Sequence, residues 1–196
     1  MTDSRDQILA VAYELFLQKS YKEVSIQEIA SRVGMTKGAF YYFFKSKEQL
    51  YQEIFNSFFI IELRKDFAEY SHESLYKFYH DYFTHIVDQE KENKESHGKI
   101  TVNTYAFLFD ALKHFPDFQV WIKGYFQEEK KSWVEIIKTS RDKGEIKSPM
   151  SDEQIADVFI STGDSLGMRG IVIGGWIGLK ESLIELWDAF YECLKK

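Results

Sequence analysis

Cysteine is nearly missing from this sequence: Cys193 is the only one. A single thiol excludes an intrachain disulfide and any zinc site built on cysteines. Proline is almost as scarce, with Pro116 and Pro149 alone in 196 residues. So few helix breakers point to an all-α chain. Long apolar runs are missing too. The stretch GIVIGGWIGL, between Arg169 and Lys180, has ten residues, about half of what a bilayer crossing needs. The N-terminal MTDSRDQILA carries acidic residues where a secretory signal carries basic ones. These absences together read as a soluble, cytoplasmic protein with no membrane attachment. Positive charge is also in short supply. A net charge of −6 argues, for the chain as a whole, against a nucleic-acid partner.

The distribution of charge argues the other way over one segment. Between Glu28 and Glu48 stand Arg32, Lys37, Lys45 and Lys47 and no acidic residue. Inside that window Phe40, Tyr41, Tyr42, Phe43 and Phe44 form an unbroken aromatic run. Five consecutive aromatics cannot all face one core, because a helix turns about 100° per residue. Some of them are exposed to water or to a partner.

Helical punctuation organises the surrounding chain. Ile8, Leu9, Ala12, Leu15 and Phe16 recur at helical spacing, with Ser4 and Gln7 as an opening capping box. Ser25 with Glu28 opens a second helix, and Gly34 suits its left-handed C-cap. Thr36 caps a short third helix to about residue 44. Ser46 with Gln49 opens a fourth, expected to run from 47 to about 68. Two short helices joined by a glycine-containing turn form a helix-turn-helix pattern. Longer helices are expected near 73–93, 101–114, 117–143, 152–173 and 180–195. The domain reading is a helix-turn-helix DNA-binding module over 1–46 and a larger helical effector-binding and dimerisation domain over 47–196.

On a helix over 36–44, Phe40 and Phe44 fall on one side and can pack on the first helix and on Ile26 and Ile29. Lys37, Tyr41 and Tyr42 then lie away from that core, and Gly38 and Ala39 keep the helix start slim enough for a close approach. Lysines and tyrosine hydroxyls at such a place suit phosphate oxygens, and capped helix N-termini offer backbone N–H groups to the same atoms. An ordinary helical pair in a bundle accounts for the spacing as well.

The segment SIQEIASRVGMTKGAFYYFFKSKEQLY resembles the N-terminal signature of the TetR family of bacterial transcriptional regulators. The resemblance covers about residues 5–55. It rests on Ser25, the Ile29-Ala30 pair, Gly34, Thr36-Lys37-Gly38, the aromatics Phe40 to Tyr42, Phe44-Lys45-Ser46-Lys47-Glu48 and Leu50. It implies a homodimer whose N-terminal helices bind a palindromic double-stranded operator and whose remainder binds a small-molecule effector. Carried over by position, Ser25, Thr36, Tyr42 and Lys47 would contact phosphates, and Lys37, Gly38 and Tyr41 would lie at the groove. Phe43 departs from the family, many of whose members have a histidine there; a phenylalanine cannot donate a hydrogen bond to phosphate. The implied function is a sequence-specific regulator, a repressor released by its effector. An activator, or a binding module of the same fold acting through protein partners, stays open as an alternative.

Six of the eleven glycines fall in STGDSLGMRGIVIGGWIG. A phosphate-binding loop fails on detail, for the stretch holds neither G-x-G-x-x-G nor G-K-[ST]. Gly163, Gly167, Gly170 and Gly174 instead step by 4, 3 and 4 along one helical stripe. Each glycine costs a helix about 1 kcal/mol against alanine, which a close-packed neighbouring helix can offset. The family resemblance assigns the last two helices, 152–173 and 180–195, to the dimer interface; close packing within one chain is the other reading. For an effector the candidates are Tyr105, Phe109, Trp121 and Tyr125, drawn from a dense aromatic set whose members also serve as core. Asn103, Asp110 and His114 stand among them as polar groups that can orient a ligand or face solvent. No catalytic residue, metal site or cofactor is expected. His80 and His85 are five apart, not the four of a helical metal pair, and no nucleophile elbow or H-E-x-x-H occurs.

Overall fold

The structure, a computed structural model, describes residues 4–59, 67–96, 102–173 and 178–195. Among them every regular element is helical. The described residues form nine α-helices in order: α1 (Ser4–Gln18), α2 (Ile26–Val33), α3 (Lys37–Phe43), α4 (Lys47–Ile54), α5 (Leu75–Ser96), α6 (Val102–His114), α7 (Pro116–Asp142), α8 (Asp152–Val172) and α9 (Leu179–Leu194). Among the described residues no helix is long and apolar enough to cross a membrane.

The starts of α2, α3 and α4 follow from three hydroxyls. Ser25 Oγ accepts the Glu28 N–H at 3.1 Å, Thr36 Oγ1 that of Ala39 at 3.1 Å, and Ser46 Oγ that of Gln49 at 3.0 Å. Each satisfies a backbone donor that the first turn leaves open. The reciprocal half of the capping boxes does not form. Glu28 turns to Lys19 at 2.6 Å, and Gln49 Oε1 accepts from the backbone of Lys45 at 2.8 Å. Gly34 closes α2 at φ 81°, a left-handed conformation that side chains disfavour.

The fourth helix differs from expectation. Its α-helical part stops at Ile54 and a π-helical turn, Phe55–Phe59, replaces the continuation. The turn widens where Phe55 stacks on Phe118, ring centroids 4.0 Å apart. Residues 60–66 of the expected helix lie outside the described residues, and Phe67–Glu69 is a short 3-10 turn.

The chain divides into two compact units. The first comprises residues 1–65 and 102–119, so α4 and α6 belong with α1, α2 and α3. Its core is the buried face of α1 (Ile8, Leu9, Ala12, Leu15, Phe16) with Ile29, Ala30, Phe40, Phe44, Leu50, Tyr51, Ile54 and Phe107. Tyr51 sits at its centre, 4.6 Å edge-on from Phe16 and 4.7 Å from Phe107, and its hydroxyl donates to the Phe107 carbonyl at 2.9 Å. Burial raises the Tyr51 phenol well above its ordinary value, with Asp110 and Tyr21 adding to the shift.

The second unit comprises residues 66–101 and 120–196. Trp133 stacks on Phe159 at 4.9 Å, and Tyr79, Tyr82, Trp187 and Tyr191 complete an aromatic core. Two polar contacts fix its helices. Buried Ser140 accepts the Leu75 N–H at 2.7 Å, and Trp187 Nε1 donates to Thr162 Oγ1 at 2.9 Å. Gly163 lies under the same indole: a Cβ there would stand 3.4 Å from Trp187 Cζ2. The close neighbour of this glycine is therefore α9 of its own chain. Gly174, the last member of the stripe, lies outside the described residues.

Candidate DNA-contacting surface

Alternation within the aromatic run sorts its members. Phe40 and Phe44 are fully buried, 5.8 Å apart, with the Arg5 guanidinium 5.1 Å over the Phe44 ring. Tyr41 is 45% exposed and Tyr42 87% exposed. Tyr41 meets the buried Phe40 edge-on at 5.7 Å, whereas most of the Tyr42 ring stands in water. Phe43 is half-buried and meets Tyr42 edge-on at 5.2 Å. It packs against the most exposed aromatic of the helix.

Ser25, Thr36, Lys37, Gly38, Tyr41 and Tyr42 are all exposed. The two hydroxyls and the helix that follows each are positioned by the capping bonds already described, so the surface is built on fixed N-termini. Gly38 is informative because the protein does not require it. A Cβ there would meet only Thr36 Oγ1 at 3.8 Å, an ordinary contact. A residue larger than glycine fits the fold.

The charge of this surface is uncompensated. Among the described residues no carboxylate pairs with Arg32, Lys37 or Lys45, all three exposed. Arg32 and Lys45 thus join the surface, although the sequence reading assigned them no contact. The signal for both was the acid-free window itself.

Lys47 is placed differently. Its Nζ donates to the carbonyls of Tyr21 at 2.6 Å and Val24 at 2.9 Å, and lies 4.2 Å above the Tyr21 ring. Burial lowers its pKa, while Asp110 and Glu48 act in the opposite direction. The ammonium is half-buried and committed to the turn between α1 and α2. The same turn is held from α6. Asp110 accepts the backbone N–H of Tyr21, and His114 Nδ1 lies 2.9 Å from the Asp110 carbonyl and 3.4 Å from its carboxylate. Asp110 and His114 are thus engaged with the protein rather than with solvent.

The effector candidates fall into two pairs. Tyr105 and Phe109 are on α6 in the first unit, 6.2 Å apart, Tyr105 half-buried and Phe109 57% exposed. Trp121 and Tyr125 are stacked at 6.0 Å on α7 in the second unit, both half-buried. Burial and Glu129 push the Tyr125 phenol upward. The nearby Glu129 is itself buried and accepts from Tyr82 at 2.8 Å. Among the described residues no group of three or more metal-ligating side chains occurs.

Residues 8–54 match the family model of bacterial regulatory proteins, tetR family. A segment of 50 residues, 26% of this chain, is 46% identical to YerO of Bacillus subtilis, an uncharacterized HTH-type transcriptional regulator. That match spans 17% of YerO's length. Over 97% of the chain and 96% of the relative, identity is 26% to IcaR of Staphylococcus aureus, the negative transcriptional regulator of the biofilm operon icaADBC. The fold is shared with a solved regulator from Saccharomonospora viridis in complex with choline, with a TM-score of 0.66 at 15% identity, covering 96% of this chain and 97% of that one.

Proposed function

We propose, from the premise that this chain belongs to the TetR family of bacterial regulatory proteins, that it is a dimeric repressor released from its operator by a small molecule. It is a DNA-binding transcriptional regulator. IcaR is a negative regulator, and the regulator of the same fold from Saccharomonospora viridis was solved in complex with choline. The observation that carries the reading is the exposed set on α2 and α3. Ser25, Thr36 and Tyr42 take phosphate oxygens, while Lys37, Gly38 and Tyr41 enter the major groove. Phosphate contacts place the module, and the groove residues read sequence.

A two-fold dimer reads two half-sites about one helical turn apart, so the operator is palindromic. The proposed dimer face lies on α8 and α9, where Met168, Val172 and Leu186 stand exposed although apolar. Tyr105, Phe109, Trp121 and Tyr125 are the proposed effector contacts. The effector acts by favouring a dimer whose recognition helices are mis-spaced for successive grooves. Such a regulator works in the cytoplasm, where its DNA is.

Selection of double-stranded DNA from a random pool at low salt tests the whole reading. Enrichment of a palindrome is expected, and its absence would sink the proposal. On the selected site, Gly38→Ala separates fold from function. Glycine costs a helix interior up to about 1 kcal/mol against alanine, and a methyl at 38 meets nothing tighter than 3.8 Å. Thermal stability is therefore expected to hold or rise. Operator affinity is expected to fall, because the methyl stands where the groove wall approaches. Unchanged affinity would remove Gly38 from the contact surface.

A further inference from the structure

Tyr21 is gripped from three sides by residues that are far from it in sequence. Its N–H is taken by the Asp110 carboxylate of α6, and its carbonyl by Lys47 Nζ at the first turn of α4, 2.6 Å away. Its ring lies 4.2 Å under the same ammonium, 5.2 Å from His114, and edge-on to Tyr51 at 5.0 Å and Phe115 at 5.3 Å. The Val24 carbonyl, one residue before the α2 cap Ser25, takes a second Lys47 hydrogen bond at 2.9 Å. One lysine thus ties the start of α4 to the residues that aim α2, and one carboxylate ties the same residues to α6.

We propose that Lys47 is a positioning residue rather than a phosphate ligand, and that Lys47 and Asp110 form one clamp on Tyr21 through which α6 sets the placement of the DNA-contacting helices. Two of the three ammonium donors are used on carbonyls, and the ring covers one side of the group. Burial has already lowered its proton affinity, the mark of a partly desolvated cation. A displacement of α6 withdraws Asp110 from the Tyr21 N–H and frees the turn that carries Ser25. The inference rests on the regulator reading for its consequence on DNA, but the clamp itself is defined in the free protein.

The test uses the full chain and two readouts. On the selected operator, a phosphate-bound lysine contributes about 0.9 to the slope of log K against log salt. Lys47→Met, which keeps the stem and removes the charge, is expected to weaken binding about ten- to a hundredfold with the slope unchanged. Lys37→Ala is expected to lower the slope by about 0.9 and serves as the comparison. Asp110→Ala should weaken binding like Lys47→Met, and the double variant should be no worse than either, since both break one clamp. Asp110→Asn keeps an acceptor for the Tyr21 N–H and is expected to restore most of the loss. In the free protein, hydrogen exchange at the Tyr21 amide should accelerate at least tenfold in Lys47→Met and Asp110→Ala and stay near wild type in Asp110→Asn. A slope change of about 0.9 in Lys47→Met, or fully additive losses, overturns the proposal. If the wild-type chain selects no DNA, the regulator reading fails. The clamp is then decided by exchange alone, and unchanged Tyr21 protection in both disruptive variants ends it.

Discussion

Replacing Phe40 by alanine is expected to abolish operator binding without touching a DNA-facing side chain. The helix that carries the proposed contact residues, Lys37–Phe43, has seven residues. A helix so short is unstable alone, since nucleation is unfavourable and few bonds follow it. Its persistence depends on the two side chains it buries against the module, Phe40 at 0% exposure and its cap Phe44. Removing a buried phenyl costs about 3–5 kcal/mol. That is a large part of the total stability of a small domain, about 5–15 kcal/mol. Melting of the first unit, followed by circular dichroism, should shift down, and operator titration at the melted module's working temperature should show no specific complex. Tyr42→Ala is the matched control. An 87% exposed ring contributes little to the fold, within about 0.5 kcal/mol. Operator affinity should nonetheless fall. If Tyr42→Ala melted the module as Phe40→Ala does, the division of the aromatic run into core and contact residues would be wrong.

The second large effect is expected at Trp187. Its indole is buried between α5, α7 and α8, within 6.1 Å of the rings of Tyr79, Tyr82, Trp133 and Phe159. Trp187→Ala should cost about 3–5 kcal/mol of second-unit stability, because the surrounding rings cannot collapse into the space. Thr162 Oγ1 also loses the N–H that it accepts. Because α9 carries part of the proposed dimer face, sedimentation should report a weaker dimer in the same variant. Gly163→Ala probes the other side of this contact. The added methyl would lie 3.4 Å from Trp187 Cζ2, so the helix is expected to gain up to about 1 kcal/mol without expelling the indole. Stability that falls in Gly163→Ala, with dimerisation lost, would place the partner's helix at this glycine instead.

What could be read in the sequence was short-range chemistry. The caps Ser25, Thr36 and Ser46 act on residues three positions ahead, and the left-handed glycine Gly34 closes the helix beside it. The boundaries of α6 to α9 followed from proline, glycine and apolar spacing for the same reason. Long-range pairings were not legible. Lys47 reaches carbonyls 26 and 23 residues away, and a backbone carbonyl carries no signature of its own in a sequence. Asp110 finds the Tyr21 N–H across 89 residues. It read as a ligand-orienting or solvent-facing group because its partner was likewise a main-chain atom. The change to π-helical backbone at Phe55 was not legible either: Phe55 stacks there on Phe118, a partner on a helix far along the chain. The resemblance gave the contact surface its meaning, while exposure, unpaired charge and the open space at Gly38 support it independently.

The division into two units also decides what light can see. Every tryptophan of the chain lies at or beyond residue 121, whereas the first unit takes its residues from 1–65 and 102–119. Indole emission is therefore a reporter of the second unit, with Trp133 and Trp187 in its core. Melting of the first unit alone, the proposed DNA-contacting module, would leave that signal constant, and circular dichroism, which senses helices in both units, would register the event. A gap between the two midpoints measures how independently the units unfold. Tyr42→Trp would give the DNA-facing surface an indole of its own, quenched or shifted when the operator arrives.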